Sequence, residues 1–216
     1  MALSFPNEST AYRSARDALL QSEIALRQHL EEVAAERRKL PKGGEIPEDY
    51  VFHRTDGSPG TLSSLFGPHD TLILYAFMYR AAADARPCPG CTSLLDGWNG
   101  QLALITQRAA FACVSSAQPE RLQALADARG WSNVRFLSAA GTDYMLRYYG
   151  ETPDGEQHTF LNVFVRDGAT IRHFWGSEIE RADLEGHPRH LDTTWPIWGL
   201  LDLTPDGRGS FFPDVL

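Results

Sequence analysis

Two kinds of hydrophobic patterning divide the chain. Up to about Leu40 the apolar positions recur at helical spacing: Tyr12, Leu19, Leu26, Val33 and Leu40 fall seven residues apart, with Leu30 beside them. This predicts one amphipathic helix from about Ser9 to Leu40, supported by a Glu23–Arg27 pair and ended by Pro41 and Gly43-Gly44. The apolar stripe is narrow and has little backing at the d-like positions, which argues against a long coiled coil. It leaves two uses open, packing on the chain's own domain or a dimer contact.

Beyond Gly44 the apolar residues gather in short runs bounded by turn residues. Val51-Phe52-His53-Arg54-Thr55 before Asp56-Gly57 reads as a strand entering a turn, and Leu62, Leu65 and Phe66 as a helical turn before Gly67-Pro68. Thr71 to Tyr79 reads as a buried strand, followed by a helix from the Cys88 region to about Arg108 with weak points at Gly97 and Gly100. Phe111 to Ser115 is a second buried strand. Pro119 to Arg129 is a helix stopped by Gly130, and Val134 to Leu137 is a third strand. Thr159 to Val165 and Thr170 to Phe174 flank Arg166-Asp167-Gly168-Ala169 and form an antiparallel hairpin. The order β-α-β-α-β plus hairpin predicts an α/β fold: a central mixed sheet with parallel pairing and helices on both faces. The expected organisation is an N-terminal helical extension over 1–44, a core domain over 45–176 and a C-terminal extension over 177–216 packed on it, turn-rich with some helix.

Composition adds limits. The chain has 216 residues, 43% hydrophobic, with a formal net charge of -8. That supports one sizeable core, and the acidic balance without a Lys/Arg run argues against nucleic acid. The longest apolar stretch is far too short to span a bilayer, and the N-terminus lacks the pattern of a secretory signal, so no membrane partner is expected. Three cysteines do not make a disulfide framework. A reducing, cytoplasmic setting is the expectation. Neither a Gly-rich phosphate loop nor Gly-x-Ser-x-Gly is present.

The chemistry concentrates at Cys88-Pro89-Gly90-Cys91, where a buried strand gives way to a helix. Two thiols so spaced can close and reopen a small disulfide ring, and a helix N-terminus favours a thiolate. Attack is assigned to Cys88, at the mouth of the helix, and resolution to Cys91. Pro89 suits the first helical turn, Gly90 admits a close partner, and Arg80 and Arg86 add positive potential. Asp84 and Asp96 are the nearest carboxylates in sequence. Cys113, in mid-strand, reads as core. Other readings of the pair remain: two inert core residues, or a zinc site completed by His187 and His190, with Asp192 nearby. Trp195, Trp198, Phe211 and Phe212 read as core, a dimer seam or a partner surface on a non-catalytic scaffold. Trp98 lies near enough to wall the cysteine pocket.

The chain resembles a bacterial family of thioredoxin-like proteins of unknown function, predicted dithiol–disulfide oxidoreductases. The carriers are Leu65-Phe66-Gly67, Leu74 to Tyr79, Cys88 to Cys91, Val114-Ser115, Gly130-Trp131, Val163 to Gly168 and Leu201 to Arg208. The resemblance implies a thioredoxin-like fold, a Cys88–Cys91 redox site, no cofactor, and a protein or small-molecule thiol or disulfide as partner; a homodimer is possible. Thioredoxins carry a cis-proline facing the pair. Here that place falls on Thr159 or Phe160, which puts thioredoxin-type substrate binding in question. The stretch from Phe111 to Phe174 is equally similar to a peroxiredoxin, an alternative peroxidase reading. The peroxiredoxin Pro-x-x-x-Thr-x-x-Cys fails in both frames, however: Ala81 and Ala85 precede Cys88, and Asp84 and Cys88 precede Cys91.

Overall fold

The computed structural model describes residues 3–181 and 191–215. The chain forms two compact units, one up to Pro41 and one from Lys42 onward. In the first, helix α1 (Thr10–Arg38) starts at Ser9, whose hydroxyl accepts from the Tyr12 N–H, and carries Arg37 and Arg38 in its last turn, where they offset the helix dipole. None of its residues is buried. The expected Glu23–Arg27 pair is not the one formed. Glu23 instead bonds Arg16 at 3.3 Å, and Arg27 bonds Glu31 at 2.6 Å.

The second unit is built on a seven-stranded sheet in the order β2-β1-β5-β4-β3-β6-β7. Its strands are β1 (Val51–Arg54), β2 (Pro59–Thr61), β3 (Thr71–Ala76), β4 (Ala110–Ser115), β5 (Phe136–Ser138), β6 (Phe160–Asp167) and β7 (Thr170–Gly176). β3, β4 and β5 run parallel; β1 is antiparallel to β5, and β6 to β3. Gly168 turns the β6–β7 hairpin at φ 62°, a conformation glycine adopts without the steric cost a Cβ would impose. The third strand lies slightly later than the sequence suggests, because pairing with β1 and β4 sets its limits. Short β2 and helix α5 (Tyr144–Arg147) were not foreseen.

Strand alternation sorts the core into two layers. Leu72, Leu74 and Ala76 of β3 join Ala110, Ala112 and Val114 of β4 on one face, with Phe52, Tyr144 and Phe164. Tyr75, Phe111 and Cys113 point to the other, where Leu94, Leu95, Trp98 and Leu102 of α3 (Pro89–Ile105) and Leu122 of α4 (Pro119–Arg129) cover them. Helices lie on both faces, as expected, but the two long crossover helices share one of them. The reason is topological. From β3 through β4 to β5 the chain steps one way across the sheet, and two right-handed crossovers in one direction place their helices on one side. The opposite face is closed by the four-residue helices α2 (Leu62–Leu65) and α5, and by a tyrosine cluster.

Candidate active site

β3 ends at Ala76, sooner than the apolar run implied. Phe77 still bonds Val114 O at 2.8 Å, after which the chain leaves the sheet. The loop that follows is clamped by Arg121 of α4. Its guanidinium donates to the carbonyls of Arg80, Ala81, Ala82 and Ala85 and lies 4.4 Å over the Tyr79 ring. A planar fork of donors can hold several carbonyls at once. The loop then delivers Cys88, whose N–H bonds Met78 O at 2.9 Å.

Cys88 is the N-cap of α3, and its Sγ accepts from the Cys91 N–H at 3.5 Å. Pro89 occupies the first helical position, as expected. Both thiols are free; Cys88 is partly exposed and Cys91 buried. The Cys88 pKa is lowered to about 6, first by a hydrogen bond from the Cys91 thiol, then, against the opposing effect of burial, by the N–H groups of Cys91 and Gly90. Cys91 is pushed well up, first by burial and then by donating to Cys88. The pair is thus polarised, one sulfur set to carry charge and the other to keep its proton.

Arg86 is exposed, and the groups that lower the Cys88 pKa belong to α3. Asp96 is engaged elsewhere, by Arg129 and by Trp131 Nε1 at 2.9 Å. Thr159 sits just before β6, its Oγ1 2.6 Å from Tyr75 Oη and 3.4 Å from Ala76 O. The described residues contain no cis peptide bond. Gly90 does admit a close neighbour, but that neighbour is the chain's own C-terminal segment. A Cβ there would stand 2.8 Å from Phe212 Cζ and 3.1 Å from Trp195 Cη2. Trp195 Nε1 bonds Ser93 Oγ at 3.4 Å, and Trp98 Nε1 bonds Thr194 O at 2.6 Å. The aromatic cluster is thereby anchored on the helix that opens with the cysteines, although Phe211 and Phe212 stay half exposed.

Cys113 is fully buried in β4. His187 and His190 lie outside the described residues, among which no group of three His, Cys, Asp or Glu could hold a metal. No helix among the described residues is long and apolar enough to cross a membrane. Tyr75 is the site residue that sequence reasoning missed, having passed as one more core aromatic. The available signal was a phenol inside an otherwise aliphatic strand, since a buried hydroxyl needs a partner.

The polarisation makes a direct prediction. Alkylation of Cys88 by iodoacetamide should titrate with a midpoint near pH 6, because only the thiolate reacts. At pH 7 about nine-tenths of Cys88 should be ionised, against a few per cent for an ordinary thiol at ~8.5. The rate should fall as pH drops below the midpoint and level off above about pH 7. Mass-resolved alkylation from pH 4 to 10 checks this, and a midpoint above 8 contradicts it.

A sheet of this order, with a crossover helix opening on Cys-x-x-Cys and an antiparallel hairpin beside β3, defines a thioredoxin-like α/β protein. The chain belongs to the bacterial protein family of unknown function DUF899, whose pattern matches residues 3–213. No curated protein matches it. Among solved structures, it is similar to peroxidoxin BcpB from Mycobacterium tuberculosis, with 19% identity over 73% of this chain and 95% of that one and a TM-score of 0.47. It is also similar to a mutant of PrxQ from Xylella fastidiosa, with 14% identity, 63% and 84% covered, and a TM-score of 0.48. A secreted M. tuberculosis disulfide oxidoreductase matches at 15% identity over 69% and 96%, with a TM-score of 0.40.

Proposed function

We propose that the protein is a thiol–disulfide oxidoreductase acting through Cys88 and Cys91. The observation that carries this reading is the unequal placement of the two sulfurs: Cys88 is partly exposed as the N-cap of α3, its Sγ accepting from the Cys91 N–H at 3.5 Å, and Cys91 is buried behind it. The Cys88 thiolate attacks a sulfur of the substrate disulfide, joins it and expels the other sulfur as a thiolate. Cys91 then releases its proton, attacks Cys88 Sγ and frees the second substrate sulfur. Two electrons pass from the protein dithiol to the substrate, and an external dithiol restores the reduced pair. The few cysteines support a reducing, cytoplasmic setting. Protein and small-molecule disulfides both fit this chemistry.

The test is equilibration across a graded thiol/disulfide buffer followed by mass mapping. We expect a Cys88–Cys91 disulfide with a midpoint between about -320 and -180 mV, the span of cellular dithiol poise. Failure of that disulfide to form at any such potential, or linkage of either residue to Cys113 in its place, removes the proposal.

A further inference from the structure

The helix that opens with the cysteines is covered at its mouth by the chain's own end. Gly90 stands between the two sulfurs yet is buried, while Cys88 keeps part of its surface open. Trp195 and Phe212 fill the space over Gly90, so closely that a Cβ there would stand 3.1 Å from the first and 2.8 Å from the second. The cover is held further along α3 as well. Trp195 Nε1 donates to Ser93 Oγ at 3.4 Å, Trp98 Nε1 donates to Thr194 O at 2.6 Å, and a Cβ on Gly97 would lie 3.3 Å from Pro196 Cδ. Gly90, Ser93 and Gly97 are spaced to share one face of the helix. Beyond α6 (Pro196–Leu201) the segment is fixed twice more. Arg208 bonds Asp202 Oδ1 at 2.7 Å and lies 5.1 Å over the Trp198 ring, and Arg129, which also bonds Asp96 of α3, donates to Val215 O at 3.0 Å.

We propose that Trp195 and Phe212 are specificity-determining residues that restrict the Cys88–Cys91 site to small disulfides and turn polypeptide disulfides away. The inference rests on the exchange reading above and narrows its substrate class. In the first step Cys88 Sγ joins one substrate sulfur and the other leaves as a thiolate, so the retained half of the substrate lies against the helix mouth. An extended polypeptide adds about 3.3–3.6 Å of chain per residue on both sides of that sulfur. A few residues therefore reach across Gly90, where the two aromatic rings already stand. Glutathione carries a single residue on each side of its cysteine and needs only the open surface of Cys88. A glycine between two such cysteines offers an incoming backbone a place of close approach; here the chain's own aromatic side chains take that place. Phe212 is 52% exposed, so its ring covers the site from outside the core, and removing it opens the helix mouth without emptying the interior.

Two disulfides serve as probes: oxidised glutathione, and the disulfide dimer of an alanine-serine peptide that carries one cysteine with several residues on either side. The reduced full-length protein is mixed with each in excess, quenched with acid and analysed by mass for loss of the free dithiol. Wild type should consume glutathione disulfide at least about tenfold faster than the peptide dimer. Phe212→Ala should raise the peptide-to-glutathione rate ratio about tenfold, the fold-change expected when a half-covered phenyl ring no longer has to be displaced. Trp195→Ala should raise it as well. A merely structural role would move both rates together and leave the ratio where it was. Cys113, fully buried in β4, reports on the fold, and should stay closed to alkylation in both variants; where one variant opens it, the other decides. A wild type that takes both disulfides at equal rates, or a ratio unmoved by the substitutions, overturns the specificity assignment while the exchange reading stands. If wild type reacts with neither disulfide, both fall together.

Discussion

Cys88→Ser is expected to reduce disulfide exchange to background, a loss of more than about a thousandfold, because the attacking species is a thiolate and a hydroxyl at neutral pH supplies no counterpart. The partner variants divide the reaction more finely. Cys91→Ser retains Cys88 and offers it a hydroxyl donor, so the first step should proceed and stop at a stable mixed disulfide. Cys91→Ala removes the donor as well. The hydrogen bond from Cys91 is the largest cause of the low Cys88 pKa, so the alkylation midpoint should rise toward the ordinary thiol value of ~8.5 in the alanine variant and move less in the serine one. Stopped reactions with oxidised glutathione, resolved by mass, measure both. Full exchange activity in Cys88→Ser refutes the proposal outright.

Trp98→Ala should produce the largest loss of stability among single changes near the site. Trp98 is almost buried, packs edge-on against Tyr75 and Phe111 with centroids 5.2 and 5.8 Å away, and bonds Thr194 O at 2.6 Å. Truncating a large buried aromatic costs about 3–5 kcal/mol, and here a carbonyl partner is lost as well. With a urea slope of about 2–3 kcal/mol/M, the unfolding midpoint should fall by roughly 1–2.5 M. Trp98→Phe should recover much of the packing and none of the indole hydrogen bond. A midpoint change under about 0.3 M for the alanine variant would show that the C-terminal segment and the core below α3 are not coupled through this ring.

Much of this molecule is legible in its amino-acid order. The strand before the cysteines, the helix after them and the closing hairpin all declare themselves by local pattern: an apolar run, Pro89 at a helix start, Gly168 at a turn. The placement of α3 and α4 on one face did not, because handedness acts only once the direction of travel across the sheet is known. Arg121 gave no sign of its hold on the loop before Cys88. Its partners are carbonyls, which every residue has, so no spacing rule reveals them. Gly90 was read as a place where a partner comes close, yet the neighbours it meets, Trp195 and Phe212, belong to the same chain more than 100 residues away.

The sequence by itself determined the element order, the thioredoxin-like class and which two sulfurs stand together, since each depends on periodicity, turn chemistry or separation along a few residues. The sequence placed Cys88 at the helix mouth and Cys91 behind it, but tertiary structure decided how deeply the second sulfur is buried. Desolvation is a property of an environment, and here Cys91 is buried in a layer shared with Tyr75 of β3, Cys113 of β4 and Trp98 of α3. Chain neighbours could not disclose it.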